Sequence, residues 1–165
     1  MKGLTVPATT PPAPSPDVLV REFHTTFGAP IATGPATLDF PRAAMRMALI
    51  EEEFCELLDA YYGPLAGQAV RDTITSARLH LDEQSRDVVE VTDAMGDLIY
   101  VLYGQALEAS IPLDAALAEI HRSNQSKLGP DGRPILRGDG KVLKGAGYSR
   151  PDLTAVLERH ATSQP

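Results

Sequence analysis

A chain of 165 residues with 43% hydrophobic side chains is long enough to bury a core, and its net charge of −7 argues against a general nucleic-acid binder. One cysteine, Cys55, excludes an intrachain disulfide and points to a reducing compartment. No stretch approaches the roughly 18 apolar residues of a membrane span, and the N-terminus lacks an apolar signal-peptide core, so a soluble cytoplasmic protein is expected.

Residues 1–16, MKGLTVPATTPPAPSP, hold five prolines and one charged side chain, which predicts a flexible or extended arm. A short amphipathic helix is expected over 17–27, ended by Gly28. Residues 28–40 read as a loop, with Asp39 as the N-cap of a second helix over 41–62. A third, more polar helix is expected over 65–82. Ser85 is expected to cap a long helix over 86–109. Pro112 opens a fifth helix running to about 128. The stretch GPDGRPILRGDGKVLKGAGY, rich in glycine and basic residues, reads as loop or hairpin. Ser149 and Asp152 resemble a capping box for a last helix over about 150–160. The fold class is all-α: a helical bundle with a basic C-terminal tail, residues 17–160 forming one domain.

The second helix poses a question. In MRMALIEEEFCELLDAYYG, Met47, Ile50, Phe54, Leu57, Leu58 and Tyr61 share one side at 100° per residue. The other side carries Met45, Ala48, Leu49, Glu52 and Glu56, with Glu53 at its edge. The helix therefore reads as buried on two sides, one of them acidic. The long helix repeats the pattern. Glu90, Asp93 and Asp97 share a stripe with Ala94, Val101 and Gly104, opposite Val91, Met95, Ile99, Leu102 and Ala106.

Two such helices suggest one shared carboxylate cluster. Taking those six acids away moves the net charge from −7 to −1, so most of the acidity is this cluster. Six ionised carboxylates in a low dielectric repel by on the order of several kcal/mol unless neutralised. Carboxylate oxygens suit Mg²⁺ or Mn²⁺, and more than one ion is expected. The competing reading is a set of solvated faces paired with Arg and Lys, but the long helix offers almost no cations after Arg86.

Residues 121–150 carry the opposite charge. Arg122, Lys127, Arg133, Arg137, Lys141, Lys144 and Arg150 face only Asp131 and Asp139. Leu113, Leu117 and Ile120 mark the buried stripe of the fifth helix, and the same spacing continues to Asn124 and Lys127. Cations beside a metal-loaded acid cluster suit a polyphosphate. The alternative is that Asn124 and Lys127 merely cap the helix C-terminus. GDGKVLKG lacks the spacing and strand–helix context of a Walker loop. The histidines have no zinc spacing with Cys55. Tyr100 and Tyr103 could border a base pocket, but they read better as core residues.

These motifs together resemble a known family. EEEFCEL, followed by a second acidic helix ending GDLIYVLYG, resembles the all-α nucleotide pyrophosphohydrolases that include MazG, phosphoribosyl-ATP pyrophosphohydrolase and the dimeric dUTPases. The tail IHRSNQSKLGPDG…DGKVLKG resembles a MazG-like subgroup, and the similarity spans roughly residues 41–153. In that family ExxE on one helix meets ExxD on the next. Glu53 and Glu56 match the first motif, with Glu52 an additional carboxylate, and Asp97 matches the final Asp. The family's Glu falls on Ala94, a departure; Asp93 or Glu90 would have to stand in.

The resemblance implies a homodimer or dimer of dimers. It implies Mg²⁺- or Mn²⁺-dependent cleavage of an NTP or dNTP, dUTP among them, to the monophosphate and pyrophosphate, in a house-cleaning role. Glu52 or Glu53 would orient or deprotonate the attacking water, and Arg122, Asn124, Lys127 and Lys144 would hold the phosphate tail. Phosphoribosyl-ATP hydrolysis in histidine synthesis is the alternative within the family. A non-catalytic dimeric module that binds metal or a partner is the alternative outside it.

Overall fold

Punctuation by proline and glycine sets most of the helix boundaries. The computed structural model describes residues 14–138 and 140–163. Residues 1–13, most of the expected arm, lie outside that range. Among the described residues the chain forms six helices: α1 (Pro16–Phe27), α2 (Ala43–Tyr62), α3 (Pro64–His80), α4 (Val88–Glu108), α5 (Leu113–Gln125) and α6 (Leu153–Ser163). None is long and apolar enough to cross a membrane. The all-α expectation holds, and the glycine-rich stretch is a small hairpin-like turn. There Leu136 and Val142 form a single antiparallel bridge, and the Arg137 N–H donates to the Lys141 carbonyl at 2.9 Å.

Three expected caps are corrected. Asp39 lies outside α2, whose N-cap position is Arg42 with no side-chain bond; the Asp39 N–H instead donates to the Thr37 hydroxyl. At α4 the cap is Asp87 rather than Ser85. Its Oδ1 accepts the Val89 and Glu90 N–H groups at 2.9 and 3.1 Å, which holds a valine-rich first turn in helical form. At α6 Asp152 alone acts, accepting the Ala155 N–H at 3.0 Å, and Ser149 is engaged elsewhere. In both helices a carboxylate nearer the first turn provides a charged acceptor for the free N–H groups.

The chain groups into two compact units. One is Gly34–Leu98; the other holds the described residues up to Thr33 and from Ile99 onward. In the first, α2 packs extensively on α3. Gly63 alone joins these helices, at φ +93° and ψ 164°, a conformation that a side chain would strain. Pro64 then starts α3, where its missing N–H costs nothing. In the second unit α1 packs on α5, and α5 on α6. Leu19 and Phe27 of α1 and Val156 of α6 are buried there, with Phe23 stacked on Phe27 at 4.4 Å between ring centroids.

Candidate functional site

The helix pair α2–α3 covers one of the two sides of α2 that the sequence read as buried, the acidic one, and leaves the other open. Cys55 is 0% exposed and sits at the interface. Around it, the side facing α3 is the acidic one. Glu51 pairs with Arg78 at 2.9 Å, and Asp59 pairs with Arg71 at 2.9 Å. The Asp59 hydrogen bond, ahead of its charge, raises the Arg71 pKa further. The expected apolar face is the open one: Ile50 is 47% exposed, Phe54 46% and Tyr61 53%. The physical reason is that α3 brings two arginines, whose partners must be acids, to a contact that hydrophobicity alone would have given to Phe54.

The metal-ligand candidates of α2 divide accordingly. Glu52 lines a cavity of about 180 Å³ between α2 and α3, together with Ala48, Glu51, Cys55, Arg71, Ile74 and Thr75. Glu53 and Glu56 are exposed, on the arc between the acidic side and the open apolar face. On α4, Asp93 and Asp97 line an open groove of about 510 Å³ with Val89, Thr92 and Gly96. Glu90, one turn earlier, is exposed and does not line it. Met95 and Ile99, on the other side of α4, are 53% and 57% exposed. Tyr100, expected in the core, is exposed; Tyr103 instead donates its hydroxyl proton to Asp114 at 2.8 Å.

In donor type these carboxylates fit Mg²⁺ or Mn²⁺, because every candidate offers hard oxygen ligands. Glu52 with Glu56, and Asp93 with Asp97, stand four residues apart, so each helix can present two donors on one face. Yet no three Asp, Glu, His or Cys side chains among the described residues form a group able to hold a metal ion. The shared cluster expected from the sequence is therefore not assembled within the described residues of one chain.

The basic tail is docked on the end of α5. Arg122 makes a two-pronged pair with Glu119, at 2.9 and 2.7 Å. Its remaining donors reach the Ser149 hydroxyl at 2.7 Å and the Arg150 carbonyl at 3.0 Å. Arg122 thus holds the tail. The buried Ser123 donates to the Ser149 carbonyl at 2.8 Å, and the Ser149 N–H donates to the Ser126 hydroxyl at 2.9 Å. The Gly145 N–H donates to the Lys127 carbonyl at 3.0 Å.

Glu119 also accepts the Asp152 N–H at 2.7 Å. Hydrogen bonding from Arg122, then from the Asp152 N–H, lowers its pKa from 4.5 to about 2. A carboxylate with a depressed folded pKa adds stability above its unfolded value and loses it as pH falls through the folded one. The melting temperature of the wild type is therefore expected to exceed that of Glu119→Gln above pH 4.5, with the advantage vanishing between pH 4.5 and about 2. An advantage that survives at the acid end would remove Glu119 as the titrating contact.

The docked tail brings cations together. Lys144 Nζ lies 4.6 Å from the centre of the Tyr148 ring. Hydrogen bonding with Ser123, then the charges of Lys144, Lys127 and Arg150, hold the Tyr148 phenol below its usual value. Asn124 and Lys127 are half-buried in and just after the last turn of α5. Tyr148 was not legible from the sequence. The one signal was an aromatic residue four positions after a lysine in a glycine-rich stretch.

The sequence pattern of a family described as phosphoribosyl-ATP pyrophosphohydrolase matches residues 20–124. A search of curated proteins gave no match. Among solved structures, a candidate NTP pyrophosphohydrolase from Exiguobacterium sp. 255-15 is similar at 29% identity with a TM-score of 0.65, covering 92% of this chain and 96% of that one.

Proposed function

The chain belongs to the phosphoribosyl-ATP pyrophosphohydrolase family, and from that premise we propose that it is a metal-dependent nucleoside triphosphate pyrophosphohydrolase. The observation that carries this reading is the end-to-end similarity to the Exiguobacterium protein, combined with acidic stripes on α2 and α4. The reaction breaks the bond between the α-phosphorus and the α–β bridging oxygen. Water supplies the new oxygen on the nucleoside monophosphate, and pyrophosphate leaves.

Glu52, Glu53, Glu56, Asp93 and Asp97, with Glu90 as the alternative on α4, would hold Mg²⁺ or Mn²⁺. A metal held there would lower the pKa of a water and offset charge developing on the phosphates. Glu52 or Glu53 orients the attacking water or accepts its proton. Lys127, Lys144 and Asn124 hold the phosphate chain, and Arg122 keeps the tail that carries Lys144 in place. A second copy of the chain covers the open apolar faces of α2 and α4, since stripes of half-exposed Ile, Phe, Met and Tyr are what an interface buries.

The family's namesake reaction is a second reading that the matched pattern itself favours. It uses the same bond cleavage on phosphoribosyl-ATP and needs room for another ribose phosphate. One experiment tests both. Pyrophosphate release is measured from a panel of NTPs and dNTPs, dUTP included, and from phosphoribosyl-ATP, with Mg²⁺, Mn²⁺ or EDTA. Release that depends on metal and stops in EDTA is expected, and the best substrate chooses between the readings. Sedimentation of the same preparation should give at least twice the 17.7 kDa chain mass. No turnover on any substrate, with metal binding intact, would leave a non-catalytic dimeric module as the correct description.

A further inference from the structure

Lysine is a flexible, strongly hydrated point charge, so a lysine that must meet a phosphate at a fixed place gains from a side chain that limits its motion. Lys144 lies in a stretch with neither helix nor strand to restrain it. What it has is Tyr148. The Tyr148 N–H donates to the Gly145 carbonyl at 3.1 Å, which closes a turn over residues 145–148. That turn folds the phenol ring back beneath the Lys144 ammonium, 4.6 Å from the ring centre.

The ring is itself fixed. Its neighbour Ser149 is tied to Ser126 and Ser123, and Gly145 to Lys127. The phenol end is turned toward Ser123, within the influence of Lys127, Lys144 and Arg150. One aromatic side chain therefore joins Lys144 of the tail to the end of α5 at Ser123.

We propose that Tyr148 is a positioning residue for polyphosphate binding: its ring is the platform that holds Lys144 beside the end of α5. This rests on the reading that Lys127 and Lys144 hold the substrate's phosphates. It extends that reading to a residue without charge, which acts on the substrate through Lys144.

The test separates the two levels. Binding of inorganic tripolyphosphate to the full chain is measured by calorimetry in EDTA, which takes metals out of the comparison. KM and kcat are measured separately with Mg²⁺ on the best substrate of the panel. Loss of a partly exposed cation–π contact corresponds to about a three- to fivefold effect. Tyr148→Leu should weaken tripolyphosphate binding and raise KM by about that factor, with kcat within about twofold. Tyr148→Phe keeps the ring and should stay near wild type. In a Lys144→Met background, Tyr148→Leu should add nothing, because the group it positions is gone.

Additive losses, or a Tyr148→Leu variant that binds like wild type while Lys144→Met does not, would overturn the role of Tyr148 alone. Wild-type tripolyphosphate binding in both Lys127→Met and Lys144→Met would remove the phosphate role of the lysines and the proposal with it. A measurement on the unmodified chain guards against misfolding of the variants. The Lys144 ε-methylene protons should be shifted upfield by the ring current, and unshifted resonances would overturn the platform.

Discussion

Glu53→Gln, Glu56→Gln and Asp97→Asn should each lower metal-dependent pyrophosphate release by at least about a hundredfold, comparable to losing one group that stabilises charge in a reaction centre. The fold should survive these changes. Glu53, Glu56 and Asp97 are all exposed in the single chain, and an amide of the same shape removes charge without leaving a cavity. Their melting temperatures should therefore stay close to wild type while turnover falls. Full turnover in any one of the three would remove that carboxylate from the site. Comparing Glu90→Gln with Asp93→Asn under the same assay decides which acid replaces the one the family carries at Ala94. Asp93 is favoured, because it lines the same groove as Asp97 and Glu90 does not.

The largest effect on stability is expected at Gly67, in the first turns of α3. A Cβ there would collide with the Asp59 carboxylate and stand 2.7 Å from the Cys55 carbonyl oxygen. The carboxylate could swing away only by giving up its pair with Arg71, and the Cys55 oxygen is backbone and cannot move without bending α2. Gly67→Ala should thus destabilise the chain by about 1–3 kcal/mol through overpacking, less the roughly 1 kcal/mol that alanine gains in a helix. For a chain of this length each kcal/mol is worth roughly 2–4 °C, so a fall of about 3 °C in the melting temperature is expected. A variant that melts at or above the wild type would show that α3 approaches α2 less closely than described.

How far the sequence foretold the fold depends on the kind of information each feature needs. Helix ends marked by a proline or glycine, such as Pro16, Gly28, Gly63 and Pro64, were readable to within a residue or two because those residues act locally. Caps were less so. Asp39, Ser85 and Ser149 all have suitable side chains, but the choice falls to Asp87 and Asp152, which reach the first free N–H groups. The 100° periodicity of α2 correctly sorted its residues into sides. It could not say which side meets a neighbour, because that depends on Arg71 and Arg78, which lie on another helix. The carboxylates and lysines of the candidate site were visible as charge in unusual places. Tyr148 was not, because its contact with Lys144 exists only once the tail has turned.

The pairing of α1 with α5 has a consequence for how the chain is made. Leu19 and Phe27 leave the ribosome well before the helix on which α1 packs, which begins only at Leu113. At ordinary synthesis rates the intervening stretch takes on the order of ten seconds to emerge. Through that interval α1 is an amphipathic helix without a partner, while α2 and α3, joined by a single residue, can already pair. The N-terminal helix is thus the segment most exposed to chaperones or to wrong contacts during birth of the protein, although it is among the best-covered helices afterwards.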